Sequence, residues 1–239
     1  MVNTGSVVVA PPKTRRPYRS PEREARAHAT RKRVLRAAVT LFAERGYAAT
    51  TIRSVAAKAK VSVPTVETLF GTKARLLKAT IDVAIAGDDE PVPMLDRDWA
   101  TAAIETTDAE TFVSIVASVL APAQGRSSGL VLSVFEGSAS DPELAVLAAQ
   151  MSAQRATMAT WVVDRLIALG ALHDEIGEDE AVDTLFALME PALFDRLTRQ
   201  RDWTLAQYEH WVARSLRCLL VSDAGQRRQS PTDPRRSPT

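Results

Sequence analysis

The sequence predicts an all-α protein of about ten helices, in which an N-terminal three-helix unit containing a helix-turn-helix is joined to a larger helical domain. Apolar residues recur at helical spacing in every long segment of the 239-residue chain. No pair of segments shows the alternation expected of two pairing strands. Two short amphipathic segments also lie almost end to end between residues 50 and 73.

These two segments have the local features of two helices joined by a tight turn. The second can begin at Ser62, whose hydroxyl is suited to capping, and carries Pro64 in a first turn where a missing N–H is tolerated. Only about three or four residues around Lys60 and Val61 connect the segments, which is the length typical of a helix-turn-helix. The apolar residues of the first segment, which Thr50 or Thr51 can cap, are Ile52, Val55, Ala56 and Ala59. Those of the second are Val66, Leu69 and Phe70.

Two further helices are expected in the basic head: an upstream helix that completes the three-helix unit and a fourth helix that follows it. The first begins between Pro21 and Thr30 and ends at Arg45, with Gly46 as a left-handed cap. Another begins near Thr72 and ends before the polar stretch at 87–93. That stretch places a domain boundary between 22–87 and 88–224. Its three adjacent carboxylates favour a polar linker over a cation site, because no further oxygen ligands follow at a recognisable spacing.

The second domain is expected to hold about six helices. One covers 97–105, and a capping box at Thr107 and Glu110 begins the next, which Pro122, Gly125 and Ser127-Ser128 should end. Residues 129–137 are short and apolar, and a strand there would lack a partner. Helices follow at 141–170, at 178–201 with a kink at Pro191, and at 204–221. Cys218 is expected to be buried on the last of them.

Charge divides the chain sharply. Residues 1–80 hold 17 basic and 4 acidic side chains, a net charge of +13, whereas the remaining residues hold 13 and 25, a net charge of −12. A basic head on an acidic body indicates a polyanionic partner for the head. Residues 1–21, rich in Pro and Arg, are expected to form a flexible basic arm that either lies along DNA or is a plain disordered tail. Residues 225–239 are expected to be a disordered polar tail.

Composition argues against several functional classes. No apolar run approaches the roughly 18 residues of a membrane span, and the apolar patch at 7–10 is too short for a signal peptide. A single cysteine excludes an intramolecular disulfide framework and favours a cytoplasmic location. The three histidines are scattered, and no catalytic motif or cluster of metal ligands is present. We therefore expect neither an enzyme nor a metal or cofactor site.

Residues 30–81 resemble the DNA-binding domain of the TetR family of bacterial transcriptional regulators. The resemblance rests on the phrase AAVTLFAERGYAATT, the helix after it, the turn, VSVPTV, and an F-x-x-K pattern that ends at Lys73. The rest of the chain resembles the family only loosely, through its order of helices and the DPEL that begins a long helix.

The resemblance implies a double-stranded DNA partner and a set of contacts. Residues 62–68 would enter the major groove, with Val63, Pro64 and Thr65 nearest the base edges. Thr51 would present its hydroxyl and backbone N–H to a phosphate, and Lys73 would hold the DNA backbone as a point charge. The full set of expected DNA-binding residues is Thr51, Arg53, Lys60, Ser62, Val63, Pro64, Thr65, Thr68 and Lys73. For Thr51 and Ser62, helix capping alone is an alternative role.

Three positions depart from the family pattern. Lys60 stands in the turn where the family usually has Gly, and Leu69 stands where it often has His. Glu67 replaces an aromatic residue, most often Tyr, on the helix that reads DNA. A carboxylate that faces phosphates is unfavourable, although Glu67 can accept a hydrogen bond from a cytosine amino group or pair with Lys60 instead.

The resemblance also implies that the body forms a homodimer and binds a small ligand. The helix from 178 is apolar on two sides, and with the second half of the helix at 141–170 it would form a four-helix interface. Packing within one subunit is the alternative. The expected interface residues are Phe186, Met189, Leu193 and Leu197. The pocket for a small hydrophobic or amphipathic effector would be lined by aromatic and Met residues that can equally be plain core: Trp99, Phe112, Phe135, Met151, Met158 and Trp161.

Two functions remain in view at this point. One is a ligand-responsive regulator, a repressor by expectation, whose homodimer binds a palindromic operator and is released by a small molecule. The other is a scaffold that binds a ligand or protein partners and whose head has lost operator reading, for which Glu67 and Lys60 are the support.

Overall fold

The computed structural model describes residues 21–90 and 92–222, and every regular element within these ranges is helical. An isolated antiparallel bridge joins Leu172 to Val221. The expected tail at 225–239 lies outside the described residues, as does the expected N-terminal arm except for Pro21, which begins α1. The helices are α1 (Pro21–Ala49), α2 (Ile52–Ala59), α3 (Val63–Phe70), α4 (Lys73–Ala86), α5 (Asp98–Glu105), α6 (Ala109–Gly137), α7 (Pro142–Ala168), α8 (Glu178–Leu188), α9 (Pro191–Asp195) and α10 (Leu205–Leu220).

Several helix ends follow the predicted capping chemistry. Asp141 caps α7 by accepting from the N–H groups of Glu143 and Leu144, and Pro142 occupies the first helical position. Thr204 and Gln207 form a reciprocal capping box at the start of α10. The break predicted at Gly46 is also present, with φ 70° and ψ 178°, although the helical turn resumes as far as Ala49.

The largest correction concerns α6, which is one 29-residue helix that continues through Pro122. The predicted end near Pro122 was therefore wrong, and residues 129–137 are its last turns, neither a strand nor a separate element. An interior proline costs a helix about 3 kcal/mol. Burial offsets this cost, because α6 packs against α1, α4, α5, α7, α9 and α10 and lies at the centre of the molecule. Local propensity gives way to tertiary packing here.

Three smaller expectations also fail. The segment 178–201 is divided by a break at Met189–Glu190 into α8, α9 and a π-helical turn at Arg196–Gln200, because Pro191 begins a new helix instead of kinking an existing one. Asp108, not Thr107, caps α6. Cys218 is exposed. The buried stripe of α10 runs through Val212, Leu216 and Leu220, and Cys218 lies two residues away from that stripe.

Two apolar clusters form the core, and neither coincides with a separate domain. The first, which we call the head cluster, joins the buried faces of α1–α4 to the C-terminal part of α6 and the N-terminal part of α7. The second, which we call the body cluster, joins α5, the other ends of α6 and α7, and α8–α10. Because α6 and α7 contribute to both clusters, the head packs directly on the body.

The acidic stretch expected to be a linker is tied down by ion pairs. Arg97 donates two hydrogen bonds to Asp88, at 2.7 and 3.0 Å, and these lower the pKa of Asp88 to about 2. Asp89, whose side chain is 6% exposed, lies 3.6 Å from His28 and 3.5 Å from Lys32 on α1. The connection between α4 and α5 therefore adds a second set of contacts between head and body. None of the helices described has the length and apolar character needed to cross a membrane.

The packing of α6 predicts opposite outcomes for one substitution at two of its glycines. A Cβ at Gly137 would lie 2.4 Å from Cδ1 of the fully buried Leu144, whereas one at Gly125 would make only ordinary contacts, at 3.5 Å and beyond. Gly137→Ala should lower the free energy of unfolding by about 1–3 kcal/mol through overpacking. Gly125→Ala should raise it by about 0.5–1 kcal/mol through helix propensity. Urea denaturation of both variants measures the sign of the change in the free energy of unfolding. A stabilised Gly137→Ala would contradict the packing described.

Candidate nucleic-acid interface

The N-terminus of α2 is ordered by its own side chains. Thr51 accepts a hydrogen bond from the Ser54 N–H at 3.0 Å, and Ser54 accepts one from the Thr51 N–H at 3.1 Å. Thr51 is exposed, so capping leaves its hydroxyl reachable from solvent. The buried side of α2 is formed by Val55, Ala56 and Ala59, as the sequence pattern predicts.

The turn between α2 and α3 has one unusual backbone position. Lys60 adopts the left-handed conformation, with φ 55° and ψ 49°, and its N–H caps the end of α2. A residue with a Cβ pays about 1–2 kcal/mol for this conformation. The strain is the physical reason why glycine suits the position, and Lys60 bears it while presenting an exposed ammonium group beside α3.

Helix α3 buries one face and exposes the other. Val66 and Phe70 are buried, and Val63 and Leu69 are partly buried against the head cluster. Ser62 caps the helix by accepting from the Thr65 N–H, and its hydroxyl lies 2.7 Å from that of Thr65. Both hydroxyl groups therefore already take part in the cap, in addition to any contact with a partner. The exposed ridge consists of Pro64, Glu67 and Thr68. Of the residues expected near base edges, Pro64 is thus fully exposed, whereas Val63 and Thr65 are partly covered.

Lys73 is partly buried and already has partners. Its ammonium group donates to the carbonyl oxygen of Tyr47 at 3.1 Å and lies 3.9 Å from the centre of the Tyr47 ring. Desolvation lowers the pKa of Lys73, and the charge of Asp141 opposes that shift. An ammonium group has three donors, so a group fixed in this way can still donate to a phosphate.

Other cations surround the turn. Arg53, Lys58, Lys60 and Arg75 are all exposed. Arg31 lies over the ring of Phe70, with its guanidinium carbon 4.7 Å from the ring centre. The exposed ridge of α3 is therefore flanked by positive charge, and Glu67 is the one acidic side chain on it.

Contacts that link the head to the body were not predicted from the sequence. The hydroxyl of Tyr47 donates to Asp141 at 3.2 Å, and the hydroxyl of Thr72 donates to Glu143 at 2.8 Å. Arg126 on α6 donates to the last carbonyl groups of α4, at 2.7 Å to Ala84 and 2.9 Å to Ile85. These partners are separated by 41 to 94 positions in the chain, so no local pattern could have revealed them.

The residues expected to line a ligand site fall into different parts of the body. Trp99 and Trp161 make an edge-to-face contact with ring centres 5.7 Å apart, and Phe112 lies 6.1 Å from Trp161. These three rings belong to the body cluster, and Nε1 of Trp99 is buried without a hydrogen-bond partner among residues 21–90 and 92–222. Phe135 and Met151 instead belong to the head cluster. Met158 is partly buried on α7, outside both clusters.

The residues expected at a dimer interface are all partly exposed in the single subunit: Phe186, Met189, Leu193 and Leu197. One face of Phe186 is covered by the guanidinium group of Arg155, whose carbon lies 4.0 Å from the ring centre. Arg155 in turn pairs with Glu190 at 2.8 Å. Further apolar surface lies on and beside α10, where Leu205 is 43% and Leu219 48% exposed and Trp203 and Trp211 line a surface groove.

Comparison with known proteins agrees with the geometry of the head. Residues 34–80 match the family described as bacterial regulatory proteins, tetR family. A stretch of 49 residues is 53% identical to the HTH-type transcriptional repressor Rv3405c of Mycobacterium tuberculosis. That stretch covers 20% of this chain and 26% of the relative, so the chain spans about a quarter of the length of the curated relatives that it matches.

Solved structures match over most of the chain. A regulator of the TetR family from Rhodococcus sp. has a TM-score of 0.63 and 14% identity, over 81% of this chain and 99% of its own. A transcriptional regulator from Saccharomonospora viridis, solved in complex with choline, has a TM-score of 0.60 and 18% identity, over 82% and 99%. At this level of identity the likeness shows the fold alone, and the fold is the all-helical one of these regulators.

The Tyr47–Asp141 contact predicts a pH dependence of stability. Burial, followed by the charge of Asp141, raises the pKa of Tyr47 to about 12 from 10.0. The contribution of the protonated Tyr47 hydroxyl to the free energy of unfolding is therefore complete below pH 10, and it is lost as the pH rises from about 10 to 12. Tyr47→Phe should cost about 1 kcal/mol at pH 8. The difference in free energy of unfolding between the unaltered protein and Tyr47→Phe, measured by urea denaturation, should shrink from pH 10 to 11.5. A difference that stays constant would contradict the contact. Tyr208, also shifted upward in pKa by burial, is present in both proteins and cancels.

Proposed function

We propose that this protein, whose residues 34–80 belong to the tetR family of bacterial regulatory proteins, is a transcriptional repressor that binds a palindromic operator as a homodimer and is released by a small molecule. The main support for the proposal is the exposed ridge of α3, which projects from a basic head. The buried face of α3 packs in one cluster with α1, α2 and α4. Binding DNA in the bacterial cytoplasm requires no catalytic step from the chain.

The shape of the head supports entry of α3 into the major groove. The groove of B-form DNA is about 12 Å wide and admits one helix. The short turn after α2 leaves one face of α3 uncovered, with Pro64 and Thr68 exposed and Val63 and Thr65 partly exposed beside them. Apolar atoms at Pro64 and Val63 are suited to thymine methyl groups, and the hydroxyl groups of Thr65 and Thr68 to a base or a phosphate.

Phosphate contacts would hold the head in register. Thr51 stands at the N-terminus of α2, where uncapped N–H groups and the helix dipole favour an anion. The exposed side chains of Arg53 and Lys60 would add positive charge on either side of α3. Lys73, fixed by Tyr47, would contribute a spare ammonium proton with little loss of side-chain entropy.

A homodimer would match the symmetry of a palindrome. Partly exposed apolar residues between α8 and the π-helical turn after α9 support an isologous interface there: Phe186, Met189, Leu193 and Leu197. The exposed Leu205 and Leu219 and the groove formed by Trp203 and Trp211 support an extension of that interface onto α10. A dimer would place the two α3 helices on half-sites about 34–36 Å apart, or a multiple of that distance.

The aromatic cluster of Trp99, Phe112 and Trp161 is the part of the expected ligand site that we retain for an effector. The partly exposed rings of Trp99 and Trp161 offer apolar and π surface, and Phe112 is buried beside Trp161. The N–H of Trp99, which has no partner among the described residues, offers one donor, and this combination suits a small hydrophobic or amphipathic molecule. The Saccharomonospora viridis regulator, solved in complex with choline, supports a small-molecule ligand for this fold. A ligand releases DNA only if it binds the DNA-bound and free states with different affinity.

Helices α6 and α7 supply a route from this cluster to the head. Each contributes to the body cluster at one end and to the head cluster at the other. A displacement of α7 would reach the head through Asp141 and Glu143, which accept hydrogen bonds from Tyr47 and Thr72. A displacement of α6 would reach α4 through Arg126.

The alternative function, a scaffold with a head that no longer reads an operator, keeps two specific supports. Glu67 places a negative charge on the outer ridge of α3, and the ammonium group of Lys73 is engaged by Tyr47. A test must therefore separate specific DNA binding from simple attraction of a basic head to any polyanion.

Salt-dependent binding of the full chain to DNA from around its own gene, compared with scrambled DNA of equal length, makes this separation. We expect tight binding to one segment, and an affinity that falls by orders of magnitude between about 50 and 200 mM salt as counterions are released. Lys60→Gln keeps the Cβ and hence the backbone strain but removes the charge, so the slope of log K against log salt should become shallower by about two units, one for each subunit.

Arg201→Gln is the matched control, because it removes one exposed positive charge from the body, far from α3 in the chain. Its slope should equal that of the unaltered protein. Equal, weak binding of the unaltered protein to both DNAs would contradict the repressor proposal and favour the scaffold.

A further inference from the structure

Glu67 is exposed on α3, at one edge of the ridge that it forms with Pro64 and Thr68. Pro64 and Thr68 lie farther around the helix from the buried Val66 and Phe70. If α3 enters a major groove, as proposed above, the Glu67 side chain enters with it.

The Glu67 carboxylate has no partner of its own. Within residues 21–90 and 92–222 it makes no side-chain hydrogen bond and no ion pair, and only its backbone carbonyl is used, accepting from the N–H of Gly71 at 2.8 Å. The Lys60 pairing considered from the sequence is not formed. Both side chains are exposed, and Lys60 is held in its left-handed conformation before the N-terminus of the helix.

An ionised carboxylate can only accept hydrogen bonds, and this restricts what it can meet in DNA. Phosphate oxygens repel it. In the major groove guanine offers two acceptors and thymine one acceptor beside a methyl group, whereas cytosine offers a single amino donor. Adenine also has an amino donor, but its N7 acceptor lies beside that group and repels a second acceptor. Cytosine is therefore the base edge that Glu67 fits.

We propose that Glu67 is a specificity-determining residue that accepts a hydrogen bond from the N4 amino group of one cytosine in each half-site of the operator. This inference rests on the operator binding proposed above. The surrounding positive charges of Arg53, Lys60 and Arg75 supply the phosphate attraction that offsets its charge, while Glu67 penalises every sequence that lacks cytosine at its position.

Selection of binding sites from random double-stranded DNA tests the proposal, with the full-length protein beside its Glu67→Ala and Glu67→Gln variants. The unaltered protein should select cytosine at one symmetric position in each half-site, with a preference of about 5- to 150-fold over other bases. Glu67→Ala should lose that preference and keep the rest of the motif. Glu67→Gln should move it toward adenine, because an amide can pair with N6 and N7 together.

Glu44→Gln is the matched control. It removes one exposed head carboxylate from α1, so it changes the net charge by the same amount as Glu67→Gln. Its selected motif should be unchanged. Thermal melting of each variant should match that of the unaltered protein, because both glutamates are exposed and make no side-chain contact described above.

Two outcomes overturn the inference in different ways. If Glu67→Ala selects the same motif as the unaltered protein and merely binds all sequences more tightly, the carboxylate only repels phosphates. If the unaltered protein selects no motif, operator binding itself fails and the role of Glu67 fails with it.

Discussion

The apolar packing of the head against one end of α6 and α7 is the constraint on which the rest of the structure depends. Leu130 and Val134 from α6 and Leu144 and Leu147 from α7 lie in the same cluster as the buried faces of α1–α4. A three-helix unit with a helix-turn-helix leaves apolar surface uncovered, and here the body covers it. The orientation of α3 is therefore set by the body as well as by the head.

Polar contacts at the rim make this packing directional. Tyr47 and Thr72 reach the N-terminus of α7, Arg126 reaches the C-terminus of α4, and Asp89 meets His28 and Lys32 on α1. The contacts of Tyr47, Thr72 and Arg126 lie at helix ends, and Arg126 binds carbonyl groups that the end of α4 leaves without helical partners. Such contacts cost little to rearrange individually, whereas apolar packing changes between discrete arrangements. Together they suit a head that pivots between a few positions.

Features that depend on local chemistry were predictable from the sequence. The caps at Ser62, Asp141 and Thr204, the break at Gly46 and the buried stripes of α2 and α3 need only neighbouring residues. Features that depend on burial were not. Pro122, Gly125 and Ser127-Ser128 predicted the end of a helix, yet packing on many sides holds α6 together through them. Aromatic residue type alone was enough to group Trp99 with Trp161, which are in contact. It could not show that Phe135 and Met151 lie apart from them, because that depends on which end of α6 and of α7 faces the head.

Lys60 and Glu67 show how a departure from a family pattern acquires a physical meaning once the backbone is known. Lys60 bears the strain of a left-handed turn and gains a charge beside α3. Glu67 has no side-chain partner within the described residues, so its carboxylate is available to a group outside the subunit. Both residues alter the charge that the head presents around the exposed ridge of α3.

In the proposed dimer the body holds two heads at a fixed spacing on DNA, and hydroxyl-radical footprinting of the full chain on its own operator measures that spacing. We expect two equally protected stretches on one face of the duplex, related by two-fold symmetry, with centres about 34–36 Å or a multiple of that distance apart. A single protected stretch, or two stretches whose spacing varies from one bound sequence to another, would contradict it.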